Sequence, residues 1–455
     1  MTSFRPQTAT VVSLGCAILA LTMSPSAQAG TLVLTGGNWA FPGSGGASEA
    51  YGVSIYEEIV NLAGGLDTAK IGIISTASST PERSAGFYLE DFDALYGSAV
   101  DVEYIPITRN DCASYKNDSG SAVVGQIRDR NAFIFTGGDQ SFITDCFFNE
   151  DPIAATRTDT ALIEALRGQF DAGAVIAGTS AGTAVQPSAP MITNGESYEG
   201  LRDGSLSFIG SPPFDNTLYY NPLGGLGFFD YGLLDSHFSE RGRQGRIIRL
   251  ASDLGVDVAY GVDENTSLIV KNPGTEDVIF EVLGEGGVFI SDISGALVGE
   301  KDGFWTISGV TATYLTEGDQ FNPLTKTASF IGKTSLTGQE ALGEVPDEEN
   351  IFSYYDFDLR DWTNQRAFTE QAIDLVNSTA SIAFGTSLEN NPTYGVTLSK
   401  IPGSEGFVGF DSQGAPRYSF RTVRVDIAPV PEPGLMLGLL GVGVWGIGGF
   451  SKRRV

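Results

Sequence analysis

Short apolar runs punctuate the first 180 residues. Thr31–Thr35 (TLVLT), Lys70–Ser75 (KIGIIS), Asn131–Thr136 (NAFIFT) and Ala174–Ala177 (AVIA) have strand length, and Val100–Ile107 alternates with a period of two. Between them, Ser48–Ala63 and Thr158–Phe170 carry apolar residues at helical spacing. Buried strands alternating with helices predict an α/β fold, a mostly parallel sheet flanked by helices on both faces. Three of the strands run into glycine, at Gly36-Gly37, Gly137-Gly138 and Gly178. Ligand sites in such sheets form at the carboxyl ends of strands, so these glycines mark where chemistry is expected.

Beyond Asp257 the texture changes. Asp257–Val270, Val278–Ile290 and Trp305–Leu315 are β-like, and Lys333–Asp426 is rich in Ser, Thr and Gly with one predicted helix at Asn364–Asn377. The pattern divides the chain into a leader (1–29), a catalytic-sized domain (30–332), a β-rich accessory region of open role (333–426) and a terminal segment (427–455).

Both ends read as sorting signals. Arg5, the apolar stretch Thr10–Met23 and Ala27-Gln28-Ala29 make a secretory signal peptide. Ser13-Leu14-Gly15-Cys16 lies inside the apolar core instead of after it, which argues against a lipoprotein. At the other end, Pro431-Glu432-Pro433 precedes an apolar run, Gly434–Phe450, and then Lys452-Arg453-Arg454. The run is near the lower limit for a membrane helix, with its basic cluster on the cytoplasmic side. The order of the three parts resembles the PEP-CTERM sorting signal. That resemblance implies export and signal peptidase and exosortase as processing partners. It also implies a membrane-spanning sorting helix before processing, and delivery to the cell surface, the outer membrane or the extracellular polymer.

Charge and cysteines narrow the classes further. The formal net charge is −28, and removing Arg5 with the leader and Lys452, Arg453 and Arg454 with the tail takes it to −32. Such a chain repels nucleic acid and anionic membranes. Cys112 and Cys146 remain after the leader is lost, an even pair in an exported protein, which favours a disulfide. Two thiols and one histidine are too few for a metal site of the usual kind, and no cofactor is called for.

The strand Ala174–Ala177 runs into Gly178-Thr179-Ser180-Ala181-Gly182, a G-x-S-x-G pattern. In a nucleophile elbow a sharp turn lifts the serine above the sheet, and only small neighbours tolerate the crowding. The plainer alternative is a tight glycine turn with an incidental serine. A serine needs a base, and His237 is the single histidine in 455 residues. Glu264, in Gly261-Val262-Asp263-Glu264-Asn265-Thr266, is the acid candidate. The order Ser, His, Glu argues against an α/β-hydrolase, in which the acid precedes the histidine.

Four segments, Gly137-Gly138-Asp139-Gln140, Gly178–Gly182, Asp235-Ser236-His237-Phe238 with Arg241, Arg243 and Arg246, and Gly261–Thr266, occur in one order. Together they resemble the cyanophycinase type of the peptidase E-like serine peptidases, over about Thr31 to Thr327. The resemblance implies a class I glutamine amidotransferase-like fold and hydrolysis of cyanophycin, a poly-aspartate carrying arginine on each β-carboxyl, to β-Asp-Arg dipeptides. It implies Ser180 as nucleophile, His237 as base and Glu264 as its orienting acid, with backbone N–H groups at Gly138 and Ala181 as the oxyanion hole. Arg241, Arg243 and Arg246 would grip substrate carboxylates, while Asp235, with Gln140 and Asp139, would receive the substrate guanidinium. Ser236 stands where the family usually has glutamine, which leaves other Asp or isoaspartyl peptides open as substrates. A non-catalytic surface or biofilm-matrix binding protein is the remaining alternative. Cys112 and Cys146 would follow strands at their carboxyl ends and pin loops near the site, and Gly195–Pro222 is expected as loops around the cleft. The oligomeric state is open, a homodimer included.

Overall fold

A computed structural model describes residues 30–188, 190–356 and 361–430. The signal peptide and the apolar sorting run at 434–450 lie outside the described residues. Among those described, no helix is long and apolar enough to cross a membrane.

The apolar runs of the first 180 residues form β1 (Thr31–Thr35), β2 (Lys70–Ile74), β3 (Asp101–Tyr104), β4 (Ala132–Phe135) and β5 (Val175–Thr179), side by side and parallel in the order β1-β5-β4-β2-β3. Their side chains alternate between two buried faces, as period two requires. Val33, Ile71, Ile73 and Ile134 pack under Ile55, Tyr56, Ile59 and Phe92 of helices α1 (Ala47–Leu62) and α2 (Pro81–Tyr96). Leu32, Leu34, Phe133 and Ile176 face α3 (Ala122–Arg128), α4 (Gln140–Phe147) and α5 (Ala161–Asp171) on the other side. The register sets Thr35 beside Thr179 and Phe135 beside Gly178, so the carboxyl ends of β1, β4 and β5 finish level. Helix α6 (Ala181–Ala184) follows β5 directly, and a disulfide joins Cys112, beyond β3, to Cys146 of α4.

The sheet is mixed where the sequence predicts a mostly parallel one. The chain continues through β6 (Leu233–Asp235), β7 (Val258–Val262), β8 (Thr266–Lys271), β9 (Ile279–Gly284), β10 (Gly287–Asp292), β11 (Phe304–Thr316), β12 (Gln320–Asn322) and β13 (Thr327–Ser329). Strands β8, β9, β12 and β13 add to the open side of β1, each antiparallel to its neighbour. Apolar runs do not reveal strand direction; here turns and short connections bring the chain back antiparallel. The β-like stretch Asp257–Val270 is two strands in two sheets. β7 lies in a second sheet and β8 in the first, and the turn between them, Asp263 to Asn265, crosses from one to the other.

The second sheet runs β6-β7-β10-β11 and continues into β15 (Pro416–Pro429) and β14 (Tyr394–Phe410). A strand from the C-terminal region, β15, therefore hydrogen-bonds directly onto β11, and β14 pairs with β15. Ile247, Ile248 and Leu250 of α8 (Gln244–Leu254), Phe368 and Leu375 of α9 (Ala367–Val376), and Val310, Phe420 and Val425 share one buried cluster. The segment expected as loops, Gly195–Pro222, instead holds α7 (Ser197–Asp203) and two short strands, Ser205–Ser207 and Leu218–Asn221. Tyr198, Leu201 and Leu218 bury against the same cluster as α8, which is enough to order a stretch whose Gly and Pro content reads as loop.

Candidate active site

Ser180 occupies a left-handed backbone position, φ 55° and ψ −115°, between β5 and α6. Such a conformation is costly for a residue with a Cβ and persists only where its surroundings enforce it. They do so here: Ser180 N donates to Thr35 O, and Thr183 N and Ala184 N donate to Ser180 O. Gly182 has no alternative, because a Cβ there would lie 2.0 Å from the Phe135 carbonyl oxygen.

His237 follows β6, also in the left-handed region at φ 47°. Its N–H donates to Gly36 O at 2.8 Å. The ring bridges two partners, with Nε2 2.7 Å from Ser180 Oγ and Nδ1 2.6 Å from Glu264 Oε1. An ionised carboxylate only accepts, so Nδ1 carries the ring proton and Nε2 is left to accept from the serine hydroxyl. Burial pulls the His237 pKa down to about 4 against the opposing pull of Glu264, and Arg241 and Arg243 add to the lowering. The imidazole is therefore unprotonated at ordinary pH, with its Nε2 free to accept a proton. Burial pushes the Glu264 carboxyl up, but the hydrogen bond from His237, with Arg241 and the Asn38 amide, holds it below its usual value.

Gly37 and Asn38, just beyond β1, complete this line; the sequence marks the glycine pair but gives Asn38 no role. Asn38 Nδ2 donates to Glu264 Oε2 at 3.0 Å. Gly37, at φ 127°, lies flat against the imidazole, and a Cβ there would come within 2.2 Å of His237 Cε1. The glycine pair after TLVLT was the available signal. The N–H groups of Gly138 and Ala181 have no hydrogen-bond partner among the described residues, and Gly137 packs against Ser180.

A cleft of about 330 Å³ opens in front of Ser180 and His237. Gly138, Asp139, Gln140, Ser236 and Arg241 line it, together with Pro212, Pro213 and Phe214. The sequence assigns Asp235 to a substrate guanidinium, but its carboxylate, 1% exposed, is taken by Arg246 at 2.7 and 2.8 Å and by Arg243 at 3.1 Å. Arg246 also donates to Gly195 O, and Arg243 to Ser236 O. Asp139 caps α4 through Ser141 N and accepts from Ser211 Oγ, while Gln140 Nε2 donates to the carbonyls of Ile192 and Thr193. These groups shape the cleft through internal bonds that local sequence cannot show. Arg241 differs: it forms no ion pair among the described residues, its Nε is buried without a hydrogen-bond partner, and its guanidinium lies over the Trp362 ring at 5.3 Å.

Residues 41–278, just over half of the chain, match peptidase family S51. The chain belongs to this family. The matched span contains Ser180, His237 and Glu264 and ends before Arg366 and the C-terminal strands. Residues 429–454 match the PEP-CTERM protein-sorting motif. Among curated relatives, the chain is 29% identical to the cyanophycinase of Nostoc sp. over 230 residues, 50% of this chain and 65% of that protein. It is 28% identical to the cyanophycinase of Synechococcus elongatus over 250 residues, 54% of this chain and 66% of the relative. The cyanophycinase of Geminocystis herdmanii shows 29% identity over 257 residues, 54% of this chain and 78% of the relative. The chain thus spans about 65% of the length of the first of these relatives, just under two thirds.

Proposed function

We propose that the chain is an exported serine peptidase of the cyanophycinase type, built on a class I glutamine amidotransferase-like fold. The observation that carries this reading is the hydrogen-bonded line from Ser180 Oγ through His237 to Glu264, facing a cleft lined by Arg241. Ser180 attacks the substrate carbonyl as its proton passes to His237 Nε2. The imidazolium, stabilised by Glu264, gives that proton to the departing amine, and water then cleaves the acyl-serine by the same route in reverse. Each of the Gly138 and Ala181 N–H donors would contribute about 3 kcal/mol toward the oxyanion.

Arg241 is the residue best placed to hold a substrate carboxylate, because it lines the cleft and its guanidinium forms no ion pair among the described residues. Asp235 acts indirectly by fixing Arg243 and Arg246, which leaves recognition of a substrate guanidinium to other groups. Ser236, which lines the cleft where the family usually has glutamine, keeps a second reading in play, cleavage of short Asp or isoaspartyl peptides. The sorting motif supports export and processing by an exosortase, with the terminal apolar run as the transient membrane span.

Product analysis separates the two. The mature protein is incubated with insoluble cyanophycin and, separately, with isoaspartyl dipeptides. Clearing of the polymer with release of β-Asp-Arg is expected, and hydrolysis of dipeptides with the polymer left intact would favour the second reading.

A further inference from the structure

We infer that Arg366, supplied by the C-terminal region beyond the family match, is a positioning residue for the His237–Glu264 pair. The inference rests on the serine-peptidase reading and adds to it a part of the chain that the motifs do not reach. Two buried carboxylates lie behind the pair. Asp263, beside Glu264 in sequence and fully buried, accepts from Ser239 N at 2.9 Å, Gly287 N at 3.1 Å and Tyr314 Oη at 2.5 Å. Glu240, three residues after His237, accepts from Glu264 N at 3.1 Å. The first carboxylate thus holds the histidine loop to the acid turn, and the second holds the acid turn to the histidine loop.

Side by side and out of water, the two carboxylates repel each other. Burial and the Asp263 charge both push the Glu240 carboxyl up, and Arg366 opposes them. Arg366 Nη1 lies 2.6 Å from Glu240 Oε1 and 2.9 Å from Asp263 Oδ2, and Nη2 donates to Tyr314 Oη at 2.8 Å. Its main-chain N–H donates to Ser239 O, inside the histidine loop. One guanidinium therefore bridges both carboxylates, offsets part of their mutual repulsion and touches both catalytic segments. The fold holds it in place: Arg366 has φ 67°, and in the next turn Thr369 Oγ1 bonds Ser239 Oγ at 2.7 Å and Gln244 Nε2 at 3.0 Å. Removing one partner from such a buried network leaves an uncompensated charge.

A structural ion cluster could make the same contacts, so the test needs a readout that stability alone does not move. Arg366 borders a cavity of about 570 Å³, together with Asn38, Trp39, Glu240 and Glu264, large enough to admit free guanidinium. The full chain is prepared as wild type, Ser180→Ala, Arg366→Ala and Arg366→Gln, and each is treated with a fluorophosphonate that labels activated serines. The labelling rate is followed across pH, with and without guanidinium. Wild type should label at Ser180. A folded Arg366→Ala should label about 10- to 100-fold more slowly, the span of couplings within one hydrogen-bonded network. The groups whose charge acts on His237 are Glu264, Arg241 and Arg243, with Glu240 and Asp263 behind them. Loss of the cation makes that set more negative, so the acid limb should move to higher pH, and guanidinium should restore part of the rate. Arg366→Gln, which keeps a polar head, carries the same expectation where the alanine variant fails to fold. A folded Arg366 variant that labels at the wild-type rate with an unmoved limb overturns the role of Arg366 alone. Slow labelling with neither a limb shift nor guanidinium recovery does the same. If wild type is not labelled at Ser180, the nucleophile assignment falls and the inference with it.

Discussion

His237 sits where burial outweighs its carboxylate partner, which leaves its pKa at about 4. A base must be unprotonated to work, so activity should persist into mildly acidic solution and fall as pH drops through that value. Arg241→Gln removes one of the positive charges that oppose protonation, so the acid limb of kcat/KM should shift upward. A limb that stays near pH 4 in this variant would show that the arginine does not act on the imidazole. Gly37→Ala tests the geometry itself. Its Cβ would enter the space of the ring, and a displacement of about 1 Å in a catalytic group costs on the order of 10²-fold in rate. Steady-state kinetics should show kcat falling while KM changes little, and an unaltered kcat would contradict the packing. At this scale the sequence was informative where residues were scarce. One histidine in the whole chain leaves no choice of imidazole, and Ser180 stands in a strand-to-glycine pattern. The glycine pair Gly36-Gly37 marked the place but not the role of Gly37, because a glycine pair after a strand has many uses, and Asn38 gave no signal, because an asparagine amide has no periodicity.

The turn Asp263 to Asn265 is the element on which the site depends most. It leaves β7 in one sheet and enters β8 in the other, which sets Glu264 at the seam and Asp263 among four hydrogen bonds. Hydrophobic pattern showed the two strands as one β-like stretch and could not show that they part company. Pattern likewise missed α7, whose few buried residues are scattered among glycines and polar groups. Helix α4 is a further element under tension between roles. It begins with Gln140 beside the cleft and carries Cys146, bonded to Cys112. Closing a loop of this length restricts the unfolded chain and is worth about 2–4 kcal/mol. Urea unfolding with and without reductant should show a loss of that order. Identical midpoints would mean that the crosslink adds nothing to stability.

On the scale of the whole molecule, the C-terminal region is structurally continuous with the rest. β15 pairs with β11 through Ile307, Val310, Ala312 and Tyr314, and β14 pairs along the length of β15. These long strands were poorly legible because Ser, Thr and Gly interrupt their apolar positions, and β15 finds its β11 partners more than a hundred residues away, as in Ile307 with Ile427. A chain ending at residue 332 would uncover β11 and lose Arg366 together. It should be recovered as aggregate, or as a species that does not label at Ser180, as judged by size-exclusion chromatography and fluorophosphonate reactivity. A soluble, fully reactive truncation would show that 333–430 is dispensable. The central claim joins the catalytic line to the polymer it is proposed to cut, and one comparison tests it most directly: β-Asp-Arg release from cyanophycin by wild type and by Ser180→Ala. The account predicts release by wild type and a fall of at least about 10⁴-fold in the variant. Equal release by the two proteins, or none by wild type, would contradict it.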